Sequence, residues 1–159
     1  MNGLVITISL IISFILQVIA LPEAVNFIRP YPILMMVLFW SFIPEARFHI
    51  HYAWGIGLLT DILLSSTFGL HGFIFALTAF IVKKSYPILK SRNILEQTVC
   101  IMLCFFLQTL FIVWVNGMLG FSSALGRLWY FPALLSTLLW PLFFSLMAHI
   151  CFIIGITDK

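Results

Sequence analysis

The sequence predicts an all-α integral membrane protein, a single transmembrane domain over residues 1–159 with six helices. Of its 159 residues, 63% are hydrophobic and only 8% are charged, and the mean hydropathy is +1.17. A soluble domain usually carries about 25% charged residues, so this chain lacks the polar surface that water requires. Apolar runs separated by short polar, glycine-rich or proline-rich stretches indicate the number of helices.

The first predicted helix covers residues 4–20, an apolar run with few polar interruptions. It is longer than the hydrophobic region of a signal peptide, which is about 7–15 residues. The segment "MNG" before it carries no basic side chain. We therefore interpret this run as an uncleaved transmembrane helix.

The second predicted helix covers residues 32–43, after a connector that contains Pro30 and Pro32. Proline breaks a helix interior but is well tolerated in the first turn. The segment is shorter than the roughly 20 residues that cross a bilayer. We expect this helix either to lie where the membrane is thinned or to use part of the segment before it.

Four further helices complete the predicted domain. They are separated by "PEARFHIH", by "SSTFGLHG", by "KKSYPILKSR" and by a glycine-rich loop over 116–130. Pro141 predicts a kink in the last of them. The predicted ranges are 52–64, 70–82, 97–115 and 131–154.

The distribution of basic residues predicts the orientation. With six spans, both termini and the loops at 44–51 and 83–96 lie on one side. That side carries Arg47, Lys83, Lys84, Lys90, Arg92 and Lys159, whereas the other carries only Arg29 and Arg127. The positive-inside rule places both termini in the cytoplasm. Four of these residues form a candidate cytoplasmic interface with anionic lipid headgroups: Lys83, Lys84, Lys90 and Arg92. We expect no nucleic-acid partner.

Neither the cysteines nor the histidines suggest a reactive site. Cys100, Cys104 and Cys151 fall within apolar helices, where cysteine usually packs as a small hydrophobe. We interpret His71 as an interfacial loop residue, separated by the topology from the pair His49 and His51. No paired carboxylates or familiar catalytic motif are present in the sequence. We therefore expect no enzyme activity, no cofactor and no metal.

Asp61 is the acidic residue placed deepest in a predicted span. A charge there is costly, so its side chain should face protein or water. Helical spacing puts Gly57 and Ser65 on the same face, a small and polar stripe that permits close helix approach. Asp61 is interpreted either as a proton or ion relay, as part of a ligand site, as an interhelical contact, or as a cap for the 65–72 reversal. A relay usually shows more than one intramembrane acid.

Three segments resemble the MreD family of rod shape-determining proteins: "IRPYPILMMVLFW" (28–40), "WGIGLLTDILLSSTFGLHGF" (54–73) and "LLWP" (138–141). Gly57, Asp61, Ser66 and Gly69 match the family's central motif, to which the resemblance attaches no chemistry. The resemblance implies a non-catalytic component of the bacterial inner membrane. Its partner would be MreC, in the Rod complex with MreB, RodA and a class B penicillin-binding protein, where lateral peptidoglycan synthesis is directed.

The same resemblance implies a fold like that of the substrate-binding subunits of energy-coupling-factor transporters. This gives an alternative function, namely a small-molecule uptake subunit. Such subunits dock through small residues repeated at four-residue spacing on the first helix, which here is rich in Ile and Leu and has no Ala-x-x-x-Ala pair. For the scaffold function, we expect the short second helix and the Gly57 stripe to form a lateral groove for the partner's transmembrane helix.

Overall fold

A computed structural model of the protein describes residues 2–19, 29–46, 48–120 and 130–156. Within these ranges the secondary structure is helical and contains no strand, which confirms the predicted all-α class. A short 3-10 turn, Pro44–Ala46, separates the second and third helices. The α-helices are α1 (Asn2–Val18), α2 (Pro32–Phe42), α3 (Ile50–Leu63), α4 (Leu70–Leu89), α5 (Ile94–Met118) and α6 (Phe131–Ile154).

Three of these helices are long and apolar enough to cross a membrane, judged by length and composition: Leu70–Leu89, Leu95–Met118 and Phe131–Ile154. The first two helices of the chain are apolar but shorter. Spans at α1, α2 and α3 therefore remain a prediction. The cytoplasmic position of both termini also remains a prediction. Arg47, Arg127 and Lys159, on which it partly rests, lie outside the described residues, as does most of the 116–130 loop.

The short helix α2 lies at the centre of the fold. Every residue from Ile33 to Phe42 is buried, and α1, α4 and α6 pack around it. A helix that is apolar on all sides is stable only when it is enclosed on all sides. The expectation that α2 and Gly57 together form an outward lateral groove is therefore wrong. Met35 and Met36 of α2 border a groove, but α1 and α6 form its other walls and Gly57 has no part in it. Shortness is tolerated here because other helices cover α2.

Aromatic side chains fill the space around α2. Phe39 packs edge-on against Phe144, with ring centroids 5.6 Å apart. The fully buried Trp40 donates a hydrogen bond from Nε1 to Oγ of Ser9 at 2.9 Å. Because Ser9 belongs to α1, this bond ties the first helix to the central one.

Helices α3 and α4 form the closest pair in the fold. A Cβ atom at Gly57 would lie 2.4 Å from the carbonyl oxygen of His71 and 2.5 Å from Cα of Gly72. A side chain at position 57 would collide with the backbone of α4. Because glycine has no side chain, the backbones of α3 and α4 can come into contact. Gly57 therefore packs inside the chain, and the expectation that it meets a partner's helix is wrong.

Helix α4 is longer than the sequence indicated. It continues through Lys83 and Lys84 to Leu89, although residue 82 was the predicted end. Lysine is a good helix former, and Pro87 lies in the last turn, where it removes a single intrahelical bond. The predicted 83–96 loop shortens to residues 90–93, and α5 begins at Ile94.

Candidate functional site: a buried polar cluster between α3 and α4

The carboxylate of Asp61, in the last turn of α3, is the centre of a buried polar cluster. The residue is 1% exposed. Its Oδ1 accepts hydrogen bonds from Oγ of Ser66 at 2.7 Å, from the backbone N–H of His71 at 3.0 Å and from Nδ1 of His71 at 2.8 Å. Its Oδ2 accepts two, from the backbone N–H of Gly69 at 2.9 Å and from that of Gly72 at 3.4 Å. The acid therefore faces protein donors.

These bonds make Asp61 the cap of the following helix. The first N–H groups of any α-helix have no partner within the helix, and Gly69, at the start of α4, supplies no side chain for them. Asp61 reaches across from α3 and accepts three of these bonds, from Gly69, His71 and, at 3.4 Å, Gly72. The positive end of the α4 dipole also favours a negative charge at this point. Both effects stabilise a carboxylate that would otherwise be costly to bury.

The backbone of the turn contributes a second set of bonds. Ser65 adopts a left-handed conformation with φ +50°, and the N–H of Ser66 donates to the carbonyl oxygen of Asp61 at 3.0 Å. This is the bond that closes a Schellman ending. Because α3 ends at Leu63, the predicted helical stripe does not extend to Ser65, which is exposed. Asp61 thus ends one helix with its carbonyl group and begins the next with its carboxylate.

His71 is the member of the cluster that the sequence analysis missed. It was interpreted as an interfacial loop residue, and this is wrong, because it lies in the first turn of α4 and is 7% exposed. Its Nδ1 donates to the carboxylate at 2.8 Å. The one available signal was its position ten residues after Asp61, just beyond a Gly-containing reversal.

Ser66, His71 and Asp61 have the composition of a catalytic triad but a different geometry. Oγ of Ser66 donates to Asp61 and lies 3.3 Å from Nδ1 of His71, the same nitrogen that binds the carboxylate. In a triad the serine instead bonds Nε2, which removes its proton. The hydroxyl of Ser66 is thus directed at the acid, and the arrangement stabilises a turn.

A second polar contact set involves the "RPYP" stretch before α2. The guanidinium of Arg29 donates to the carbonyl oxygen of Leu16 near the end of α1. The backbone N–H of Tyr31 donates to Oγ of Ser136 on α6 at 2.9 Å, and its hydroxyl lies 3.3 Å from Oγ1 of Thr109 on α5. The sequence analysis treated this stretch only as the opening of a helix. Its residues connect three other helices.

The candidate cytoplasmic interface lies at the other end of α4, from about 18 Å (Lys83) to about 28 Å (Lys90) from His71 along the helix at 1.5 Å per residue. Lys90 is exposed, whereas Lys83 is half-buried. Nζ of Lys84 lies 5.8 Å from the ring centroid of Phe80. Arg92 forms an exposed ion pair with Glu96 at 3.3 Å. These four basic residues therefore sit partly on the helix and partly in the turn, where the sequence analysis had placed all of them in a loop.

Metal ligands do not converge in the part of the chain that the structure describes, where no group of three or more His, Cys, Asp or Glu residues comes together. The rings of His49 and His51 stack, with centroids 5.4 Å apart. The three cysteines are free thiols.

Comparison with known proteins supplies the family. The model of a family described as rod shape-determining protein MreD matches residues 1–150. The chain belongs to the MreD family. A curated relative, the rod shape-determining protein MreD of Haemophilus influenzae, is 28% identical over 145 residues, which cover 88% of this chain and 86% of the relative. No solved structure matches the chain.

The matched range includes both polar contact sets of this MreD-family protein, the Asp61 cluster and the segment around Tyr31. Family membership supports a role in determining rod cell shape and names no enzymatic activity. The predicted likeness to energy-coupling-factor subunits remains a prediction.

Proposed function

We propose that the protein is a non-catalytic inner-membrane component of the Rod complex, which pairs with a MreC-like single-span protein and helps to direct lateral peptidoglycan synthesis. The observation that carries this proposal is the family match over residues 1–150. The geometry at Asp61 agrees with it, because both oxygens of the carboxylate accept hydrogen bonds that cap α4. MreB, RodA and a class B penicillin-binding protein are the proposed further members of the complex.

The proposed topology has six spans, with both termini in the cytoplasm and a fold like that of energy-coupling-factor binding subunits. The basic end of α4, with Lys84 and Lys90, supports a cytoplasmic position for the turn at residues 90–93. Enclosure of α2 by its neighbours supports a span that is shorter than the bilayer is thick.

We place the partner's transmembrane helix in a groove between α1 and α6. This groove has a volume of about 710 Å³ and an almost wholly apolar lining, with Met35 and Met36 of α2 at its floor. Its wall on α1 runs from Leu4 to Leu16, about 18 Å at 1.5 Å per residue. An elongated apolar groove of this length suits a helix of a single-span protein better than a compact ligand.

Site-specific photo-crosslinking in a rod-shaped host tests both the pairing and its location. A photoreactive amino acid at Ile12 or Leu142, which line the groove, should capture the MreC-like protein. The matched control is Leu103, an exposed apolar residue of α5, which should capture far less. Depletion of the protein should produce rounded, widening cells. Crosslinks to lipid alone, with no protein captured from either groove position, would contradict the pairing.

A small-molecule uptake subunit is the alternative function. A second groove of about 540 Å³ between α1 and α3, lined in part by His51 and Tyr52, lies within the usual size range of ligand pockets. Native mass spectrometry of the protein in mild detergent tests this alternative. A vitamin-sized molecule retained by the purified protein, without any single-span partner, would favour uptake over scaffolding.

A further inference from the structure

The groove between α1 and α3, of about 540 Å³, begins where both helices begin. Residues from Gly3 to Leu10 line it on α1, and none of these lining residues belongs to the groove between α1 and α6. The two helices run in the same direction, because Gln17, near the end of α1, and Leu64, just after α3, border one small cavity. The first turns of α1 and α3 therefore form the mouth of the groove.

The depth of this groove matches one leaflet of a bilayer. On α3 the lining extends from His51 to Leu59, about 12 Å at 1.5 Å per residue. The hydrocarbon of a single leaflet is about 15 Å deep, half of the roughly 30 Å core. By contrast, the wall of the α1–α6 groove on α6 runs from Leu139 to Ile154, about 22 Å. The longer groove suits a transmembrane helix, whereas the shorter one suits a lipid chain of one leaflet.

Polarity changes along the groove as it changes along a phospholipid. At the mouth, the lining includes His51 and Tyr52, which are both exposed. Side chains of these two types donate hydrogen bonds, and tyrosine is enriched at the level of lipid headgroups. Further from the mouth the lining consists of apolar side chains, among them Leu10, Ile56 and Leu59. The groove thus has a polar entrance and an apolar interior.

Gly55 keeps the middle of the groove open. A Cβ atom at this position would meet nothing within 4 Å, so the helix surface there leaves free space beside it. The volume of the groove lies within the 300–1,000 Å³ of typical ligand pockets. Among the residues that the structure describes, no acidic side chain lines the groove, so nothing in this lining repels a phosphate group.

We propose that this groove binds a phospholipid, with the headgroup beside His51 and Tyr52 and one acyl chain running along Gly55 towards Leu59. The acyl chain fills the apolar interior, and the phosphate oxygens accept hydrogen bonds at the entrance. In the proposed topology both helices begin on the cytoplasmic side, so the lipid belongs to the cytoplasmic leaflet. The site requires no protein partner and goes beyond the proposed function.

Native mass spectrometry tests the proposal on the full chain, purified in mild detergent and loaded from vesicles of phosphatidylethanolamine and phosphatidylglycerol in equal amounts. We expect one phospholipid to stay bound to the unmodified protein. Gly55→Phe fills the middle of the groove and should lower the lipid-bound fraction severalfold. Gly117→Phe on α5 is the matched control, because an added Cβ there also meets nothing within 4 Å, and it should leave this fraction unchanged. If Gly55→Phe does not fold, Gly55→Leu takes the same measurement.

A phospholipid with a photoreactive group at the end of its acyl chain locates the site in the same protein. Labelling should concentrate on Leu10 and Leu59, at the apolar end of the groove. It should be weaker at Leu103, an exposed apolar residue of α5 that faces away from this groove's lining.

Four results would overturn the proposal. Loss of all phospholipid from the unmodified protein shows that no site exists. Unchanged binding in Gly55→Phe, or equal labelling of Leu103, shows that the lipid belongs to the surrounding bilayer only. A vitamin-sized molecule bound in place of the phospholipid assigns the groove to uptake. Because these measurements use the purified protein, failure to capture a partner at Ile12 leaves their outcome unaffected.

Discussion

Nδ1 of His71 lies 2.8 Å from Oδ1 of Asp61, and this contact joins the last turn of α3 to the first turn of α4. Both residues are almost fully buried, so the bond is shielded from competing water and worth more than an exposed pair. Nine residues of chain lie between them. The contact therefore fixes the reversal between two helices.

The capping role of Asp61 predicts different outcomes for two substitutions. Asp61→Asn keeps an oxygen for one set of donors but turns an NH₂ group towards the other, and should lower the free energy of unfolding by about 1–3 kcal/mol. Asp61→Leu leaves the N–H groups of Gly69 and His71 unpaired and should cost more, about 3–5 kcal/mol. Thermal denaturation in detergent and abundance in membranes measure both. Equal loss of cell-shape function in two stable, abundant variants would instead point to a role for the ionisable proton.

The close contact at Gly57 predicts that no larger residue is tolerated there. Gly57→Ala forces the α3 and α4 backbones apart and should destabilise the protein by about 1–3 kcal/mol, as overpacked cores do. Gly55→Ala is the matched control, since a Cβ there meets nothing within 4 Å. Thermal melting of the two variants side by side checks this prediction, and equal melting temperatures would contradict it.

The left-handed conformation of Ser65 predicts a stabilising substitution. Residues with a Cβ pay about 1–2 kcal/mol for this conformation and glycine does not, so Ser65→Gly should raise the melting temperature. Thr67→Gly should lower it, because Thr67 lacks a positive φ and glycine adds conformational freedom to the unfolded chain. A lower melting temperature for Ser65→Gly would show that the turn conformation is different.

The bond between Tyr31 and Ser136 predicts a cost for removing one hydroxyl. Ser136→Ala leaves the backbone N–H of Tyr31 without its acceptor and should reduce the free energy of unfolding by about 1–3 kcal/mol. Ser145→Ala, at an exposed position on the same helix, should have little effect. Denaturation of both variants in the same detergent provides the comparison.

The proposed topology predicts opposite labelling of two serines in a cysteine-free background. Ser122→Cys, in the predicted 116–130 loop, should react with an impermeant thiol reagent added to intact cells. Ser91→Cys, exposed in the turn after α4, should react only after the membrane is opened. Reaction of Ser91→Cys in intact cells would reverse the proposed orientation.

Composition and apolar runs were sufficient to predict six helices and most of their ends. Helix α6 has the predicted bounds because clear signals mark them: Pro132 in its first turn and Gly155, with φ +74°, just after its end. The end of α4 was missed because lysines after an apolar run fit a helix as well as a loop. Residue preferences alone do not distinguish a helix from a loop here, because no strong helix-breaking residue comes before Pro87.

Burial and pairing were harder to predict. Hydropathy does not distinguish an apolar residue facing lipid from one facing protein, so the central position of α2 was not visible in "PILMMVLFWSF". The bond between Asp61 and His71 depends on how the intervening turn folds, and in particular on the backbone at Ser65. That geometry is set by the packing of α3 on α4, which the order of residues alone does not specify.

The enclosure of α2 has a consequence for biosynthesis. Its 11 residues extend about 16 Å, roughly half the thickness of a hydrocarbon layer, so the free backbone groups at its ends need the shelter of neighbouring helices. Two of those neighbours, α4 and α6, are synthesised later. In a nascent chain, α2 is therefore not fully enclosed by its neighbours until α6 has been synthesised. Chains that stop before residue 131 should accordingly be cleared by membrane proteases, even though every residue of the Asp61 cluster has already been made.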